Sequence, residues 1–465
     1  MLYFRESELE KLNMFMDGHS RAMAIYGRRR TGKTELILEA MKQRTDGLYF
    51  QCSSYDYNTC LQDYKKTVSA MQSDLSEDSI FQGLNSFKDV FVYLCRSLTG
   101  KTFIIDEFPF LCRKSENTAA EFQWIIDHAL AGAAESGTEP TSTNKIILLG
   151  SNMSFMQRQI NDVESPLYGR FDEILEVRPF SFGQVHELFQ DFAEAVDVYA
   201  QTGGVAQYVM FYKNYASVKQ ATKELYFDRN GRLFLEANNM LFQELRETTT
   251  YISILRAIGG SAKDSGQIAK KSGLDQRGIF SYLNKLVELN ILTPIDNPLS
   301  KKQKDKKYII SDYLFRFSFT FIEPNISIIS AIDGAAMDYV LGDKYSEYLG
   351  PIYEEIIQSA CYNYAIDGRL PFMPTTVGRW WGNVKTDGEW TESEVDLIAY
   401  NDSDIIIGEC KFRNRKVGVN ELDLLKAKTP FIPVGTRRVH YLLASRKGFT
   451  DKLKSEEDVI LIDKI

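Results

Sequence analysis

The sequence predicts an α/β protein. It should hold a doubly wound parallel sheet with a helical lid, then a small helical module, then a second α/β domain. Three observations carry this expectation. Short apolar runs at "AMAIYG" (22–27), "GLYFQC" (47–52), "KTFIID" (101–106), "KIILLGSN" (145–152) and "FDEILEV" (171–177) alternate with helical segments. Residues 251–295 change character, to short amphipathic stretches punctuated by glycine. Near the C-terminus, "EVDLIAY" and "DIIIGECKF" read as two strands joined by the turn "NDSD".

The bulk properties set limits. At 465 residues the chain suggests about three domains of roughly 150 residues. A hydrophobic share of 44% and a charged share of 25% are those of a globular protein. The net charge of −8 rules out a polycation that coats nucleic acid, so a nucleic-acid surface would have to be a local basic patch. Six scattered cysteines without a CxxC pair, and only four histidines, argue against zinc and against a disulfide framework. "MLYFRESELEKL" has no signal-peptide pattern, and no apolar run is long enough to span a bilayer. A cytoplasmic protein with no membrane partner is expected.

The first run ends in a phosphate-binding pattern. Residues Gly27, Arg28, Arg29, Arg30, Thr31, Gly32, Lys33 and Thr34 fit G-x-x-x-x-G-K-[ST]. The glycines let backbone N–H groups converge on phosphate oxygens. Lys33 reaches the β- and γ-phosphates, and Thr34 supplies a hydroxyl to Mg²⁺. The helix that follows, "TELILEAMKQ", turns its N-terminal dipole toward the anion. The third run ends in Asp106 and Glu107. A carboxylate at that position can hold Mg²⁺ and its neighbour can polarise the attacking water, so Asp106 is assigned to the metal and Glu107 to the water. ATP and Mg²⁺ are the expected cofactors. Ser151 and Asn152, after the fourth run, are placed to sense the γ-phosphate. Arg170, in "SPLYGRF", is an arginine-finger candidate, in cis or from a second copy in a homo-oligomer; a surface salt bridge is the alternative.

Downstream, three helices, a strand, the basic loop "SKKQKDKKY" and a second strand have the layout of a winged helix-turn-helix. Its third helix, about Leu274 to Leu289 with Asp275 as N-cap, would enter a major groove with Gln276, Arg277, Asn284 and Lys285. Lys301, Lys302, Lys304, Lys306 and Lys307 of the wing would touch phosphates. A protein-interaction spacer would show the same pattern. In the C-terminal strands, Asp396 lies on the first, and Glu409 and Lys411 share one face of the second. Such a set can bind Mg²⁺ and stabilise charge on phosphorus. The helix "GPIYEEIIQSA" could add Glu354 or Glu355 to the metal, and Lys426 or Lys428 are further phosphate contacts. An ordinary cross-strand ion pair would use the same residue types.

"FRESELEKL", "GRRRTGKT", "IIDEF", "LLGS" and "YGR", in this order, resemble the archaeal-type ATPases of the STAND and AAA-like branch of P-loop NTPases. The resemblance implies that Phe4, Arg5 and Glu6 form a nucleotide-proximal box. The family's Gly-Gly-Ile/Val-Pro is here Gly203-Gly204-Val205-Ala206, without the proline. It also supports the winged helix, and "VGRWWG", "EVDLIAY", "IIIGECKF" and "YLLASRKGFT" resemble the PD-(D/E)xK nuclease-like domain fused to such ATPases. The expected organisation is therefore an ATPase domain with lid over 1–235, a winged helix over 236–320 and a restriction-endonuclease-like domain over 321–465. The function expected is ATP-dependent nucleic-acid binding or cleavage, with DNA as partner. A STAND-like signalling switch is the alternative.

Overall fold

The computed structural model describes residues 3–53, 56–112, 117–131, 143–245, 247–300, 306–386 and 389–463. The chain divides into two compact units, Met1–Phe180 with Val205–Tyr208, and Ser181–Gly204 with Val209–Ile465. Among the described residues, no helix is long and apolar enough to cross a membrane.

In the first unit five parallel strands form one sheet. They are β1 (Ala22–Tyr26), β2 (Gly47–Gln51), β3 (Thr102–Asp106), β4 (Lys145–Gly150) and β5 (Glu173–Glu176), in the order β2-β3-β4-β1-β5. Successive side chains of a strand point to opposite faces. Ala24, Phe103, Ile105 and Leu148 accordingly pack in one core, and Met23, Ile25, Ile104 and Ile147 in another. β1, β3 and β4 are buried on both faces, which is why they read as unbroken apolar runs, while β2 and β5 at the sheet's edges are partly exposed. Because β4 lies between β1 and β3, the loops leaving all three open on one carboxyl edge.

The second unit takes in the helices Phe182–Phe189, Phe192–Thr202 and Val218–Tyr226, which were expected to stay with the first sheet as its lid. Aromatic packing explains the difference. Tyr199 meets Tyr313 edge-on at 5.4 Å, Tyr226 meets Phe317 at 4.7 Å, and the Tyr348 hydroxyl donates to the Ala200 carbonyl at 2.6 Å.

Helices Thr248–Ile258, Ser265–Ser272 and Ile279–Glu288 precede a hairpin of β7 (Leu292–Ile295) and β8 (Lys307–Ile310). With β6 (Lys263–Asp264) these strands form an antiparallel sheet ordered β6-β8-β7. The third helix starts later than expected, because the Asp275 carboxylate accepts the Arg277 N–H at 3.0 Å and caps a turn rather than the helix. Lys301, Lys302 and Lys304 lie outside the described residues. Lys306 stands 3.8 Å from Asp296, and Lys307 pairs with Glu394 at 2.9 Å.

The last sheet comprises β9 (Thr376–Thr386), β10 (Glu389–Tyr400), β11 (Asp404–Lys411), β12 (Arg438–Ser445) and β13 (Val459–Ile462), ordered β13-β12-β11-β10-β9. β10 and β11 form the expected antiparallel hairpin, with Leu397 opposite Gly408, while β11, β12 and β13 run parallel. Helix Lys344–Ile366 packs Tyr353, Ile357 and Cys361 against Leu397, Ile406 and Cys410 on one face of this sheet. Helix Val419–Lys428 packs Leu422 and Leu425 against Ile405 and Ile407 on the other.

A buried ion pair anchors the longer helix. Arg316, with no exposed surface, donates to both oxygens of Glu355 at 2.9 and 3.1 Å and to the Ile310 carbonyl at 2.5 Å. The Tyr313 hydroxyl adds a bond to Glu355 at 2.6 Å. Burial pushes the Arg316 pKa down, but the Glu355 carboxylate outweighs it, and the guanidinium stays charged. Arg316→Leu removes these bonds but leaves the partly exposed Glu355 beside Tyr313 and Arg379, so it should cost about 1–3 kcal/mol. The double variant Arg316→Leu/Glu355→Leu should recover most of that loss, and urea unfolding of the three proteins measures both effects.

Candidate functional sites

The phosphate loop is shaped by two glycines with different constraints. Gly32, at φ 96°, starts helix Lys33–Met41 in the left-handed region that favours glycine. A Cβ on Gly27 would lie 2.3 Å from the Val177 carbonyl oxygen, so only glycine fits there. Lys33 is buried, and its ammonium donates to the carbonyls of Gly27 at 2.8 Å and Arg28 at 2.9 Å. Burial lowers its pKa to about 8 against the opposing pull of Glu107 and Asp106, while Arg29 pushes the same way as burial. Thr31 is buried and donates to the Arg28 carbonyl at 2.8 Å. Arg30 has a φ of 67°, lies 5.3 Å from the Tyr208 ring and accepts the Gln207 N–H at its carbonyl at 3.1 Å. The glycine pair before that segment, Gly203 and Gly204, has φ 60° and 72°.

Arg5 sits against the loop's backbone. Its buried guanidinium donates to the carbonyls of Thr31 at 3.0 Å and Arg178 at 2.6 Å, pairs with Glu8 at 2.8 Å, and lies 5.1 Å from the Phe180 ring. It clamps the loop by main-chain atoms, a role that the motif alone does not disclose.

Asp106, at the end of β3, is 1% exposed. Its Oδ2 accepts the hydroxyls of Thr34 and Tyr49, each at 2.8 Å, and its Oδ1 accepts the Glu107 N–H at 2.8 Å. A threonine hydroxyl beside a carboxylate is the sparse, hard-oxygen donor set that suits Mg²⁺ bound mainly by phosphate and water. Glu107 has φ 56°, a strained conformation for a residue with a Cβ, and its Oε2 accepts the Ser151 hydroxyl at 2.8 Å. Asn152 is committed to the helix that follows β4. Its side-chain oxygen caps helix Met153–Asn161 by accepting the Phe155 N–H at 2.9 Å. Arg170 pairs with Asp127 at 3.4 Å and donates to the Tyr168 carbonyl at 2.9 Å.

The second constellation lies in the C-terminal sheet. Glu409 and Lys411 follow Ile405 and Ile407 along one face of β11, and Lys411 donates to Glu409 Oε1. Asp396 lies where the pairing of β10 with β9 slips between Val395 and Ile398. Its Oδ2 accepts the Cys410 N–H at 2.9 Å and stands 3.8 Å from the Lys411 ammonium. Lys428 comes within 3.5 Å of Glu409 Oε2, an oxygen that is shielded from solvent and accepts no hydrogen bond. Lys426, the alternative to Lys428, lies over the Tyr441 ring at 5.6 Å. Burial raises the pKa of Glu354, with the Asp396 charge adding to it. Burial likewise raises that of Asp396, with Glu409 adding to it and Lys411 opposing it. Burial would lower Lys411, but Asp396 and Glu409 outweigh it and raise the ammonium's pKa.

Glu354 thus belongs electrostatically to this cluster, while Glu355 is held by Arg316. Arg379, inside "VGRWWG", stands 3.9 Å from Glu354 and 3.7 Å from Glu355. No spacing rule links Arg379 to a helix some twenty-five residues earlier; only the charged position in an otherwise apolar strand end hints at a partner.

A parallel sheet ordered β2-β3-β4-β1-β5, a glycine-framed loop with a buried lysine, and a threonine bonded to the strand-end aspartate define a P-loop ATPase. Residues 2–210 match a family described as an ATPase domain predominantly from Archaea. Residues 318–422 match one described as archaeal and bacterial proteins of unknown function. The chain is 30% identical over 429 residues to the uncharacterized protein MJECL04 of Methanocaldococcus jannaschii, covering 90% of this chain and 88% of that one. The Walker-type ATPase PABY2304 of Pyrococcus abyssi shares the fold at a TM-score of 0.50 and 21% identity, over 68% of this chain and 96% of that one. The chain belongs to the archaeal-type ATPase family.

Two variants test the loop. Gly27→Ala must displace the loop or Val177, so ATP affinity should fall more than tenfold and the melting temperature should drop. Arg5→Ala removes only the clamp behind the loop and should weaken ATP binding by about tenfold. Equilibrium binding of a fluorescent ATP analogue reads both, and unaltered affinity in Arg5→Ala would show that the clamp does not shape the loop.

Proposed function

We propose that this ATPase couples its nucleotide state to nucleic-acid binding or metal-dependent cleavage. The observation that carries the reading is the convergence of Asp396, Glu409 and Lys411 on the β10–β11 hairpin, the residue set of a PD-(D/E)xK nuclease core. Asp396 and Glu409, with Glu354 from helix Lys344–Ile366, would hold Mg²⁺, and the unbonded Glu409 Oε2 leaves an acceptor for it. When bound, that ion supplies Lewis-acid stabilisation of charge on phosphorus. Lys411 then neutralises the non-bridging oxygens, and Lys428 and Arg379 hold the carboxylates in place.

In the first unit, Lys33 would hold the β- and γ-phosphates, and Thr34 and Asp106 would hold Mg²⁺. Glu107, on leaving Ser151, would orient the attacking water. Arg170 would contribute only by leaving Asp127, in cis or as a finger from a second copy. DNA is the proposed partner, met by the winged-helix arrangement of helices 248–288 with β7 and β8, and by the C-terminal sheet.

One observation favours a second reading, a STAND-like switch without nuclease chemistry. Lys411 and Lys428 already balance Glu409, and among the described residues no group of three or more His, Cys, Asp or Glu is arranged to hold a metal. Cleavage of single- and double-stranded DNA with Mg²⁺ or Mn²⁺, with and without ATP, separates the two. Under the nuclease reading Lys411→Ala should lose activity by at least about a hundredfold, a transition-state loss of about 2.7 kcal/mol. Lys33→Ala should abolish any ATP dependence. ATP turnover with no cleavage under any of these conditions would leave the switch.

A further inference from the structure

Helices Phe192–Thr202 and Val218–Tyr226 and residues 337–345 line a solvent-open cavity of about 320 Å3 within the second unit. That volume lies in the range of small-molecule sites. Val218, Met337 and Leu341 line one part of it, and Asp197, Gln201 and Tyr345 supply polar groups.

The polar side is internally ordered. The hydroxyls of Tyr212 and Thr222 donate to Gln201 Oε1 at 2.7 and 3.1 Å. The Gln201 carbonyl is thereby committed, and its amide nitrogen faces Tyr345, donating to that hydroxyl at 2.9 Å. The Tyr345 proton is left for Asp197 Oδ1, at 3.0 Å. The exposed pair Lys219–Asp338, 3.2 Å apart, also lines the cavity and balances itself. Burial raises the Asp197 pKa to about 6, with only partial relief from Tyr345 and Arg446, so its charge is under-compensated where it stands.

We infer that this cavity binds a small organic cation with an apolar body, its ammonium donating to Asp197 and its body lying on Val218, Met337 and Leu341. An anion would face a like charge, and a neutral ligand would leave Asp197 uncompensated, whereas a charge-assisted hydrogen bond satisfies it. No residue assigned to ATP or to the C-terminal cluster lines the cavity. Occupancy would join two lid helices to the helix that carries Glu354.

Calorimetric titration of the full chain with 2-phenylethylamine, and with its neutral counterpart 2-phenylethanol, tests the inference. Wild type should bind the amine at least about tenfold more tightly than the alcohol. Asp197→Asn should erase that preference, and Met337→Trp, which fills the cavity but keeps the carboxylate, should abolish binding of both. Equal affinity for the two probes in wild type, no binding of the amine at millimolar concentration, or an intact preference in Asp197→Asn would each overturn it. The wild-type comparison decides the matter even if a variant does not fold.

Discussion

The hydrogen bond from Thr34 to Asp106 is the contact on which the nucleotide site depends. It ties the helix after β1 to the end of β3 across the intervening β4, and so fixes how far apart the phosphate loop and the acidic pair stand. Tyr49, from β2, approaches the same oxygen and closes the set from the next strand. Groups from three strands of one sheet thus meet at a single buried carboxylate: Asp106 ends β3, Tyr49 lies on β2 and Thr34 follows β1. The arrangement is possible because a parallel sheet delivers the ends of its strands to one edge. Arg5 and the Gly27–Val177 contact then set the loop's height above that edge from behind.

The C-terminal cluster solves a different problem. Three carboxylates, Glu354, Asp396 and Glu409, are gathered where burial disfavours their charge, and three cations, Lys411, Lys428 and Arg379, answer them. Balanced this way, the cluster still keeps one unbonded oxygen on Glu409. Such a site can be a reaction centre or a structural knot, and the distinction lies in whether phosphate and metal can displace the lysine contacts. The slipped register at Asp396 is the feature least expected of a plain structural hairpin, because bulges re-aim side chains at sites.

Much of this was legible in the sequence, for identifiable reasons. The three central strands β1, β3 and β4 announced themselves because strands buried on both faces must be apolar throughout, and the loop because its two glycines answer steric demands. The β10–β11 hairpin followed from alternation around a short polar turn. Other features depend on helical phase or on distant contacts. Whether Glu354 or Glu355 joins the cluster is decided by about 100° of helix rotation, and whether Lys428 or Lys426 by about 200°. The assignment of the lid helices to the second unit rests on Tyr199, Tyr226 and Tyr348, whose partners lie far along the chain. Arg5 looked like a ligand residue because proximity to a motif does not say which side of the loop a side chain occupies.

Glu107 occupies a backbone conformation that costs a residue with a Cβ about 1–2 kcal/mol and that glycine or asparagine enters more easily. A carboxylate has been kept where the main chain would rather not have one. Selection of random variants for thermal tolerance should therefore drift toward Gly or Asn at this position.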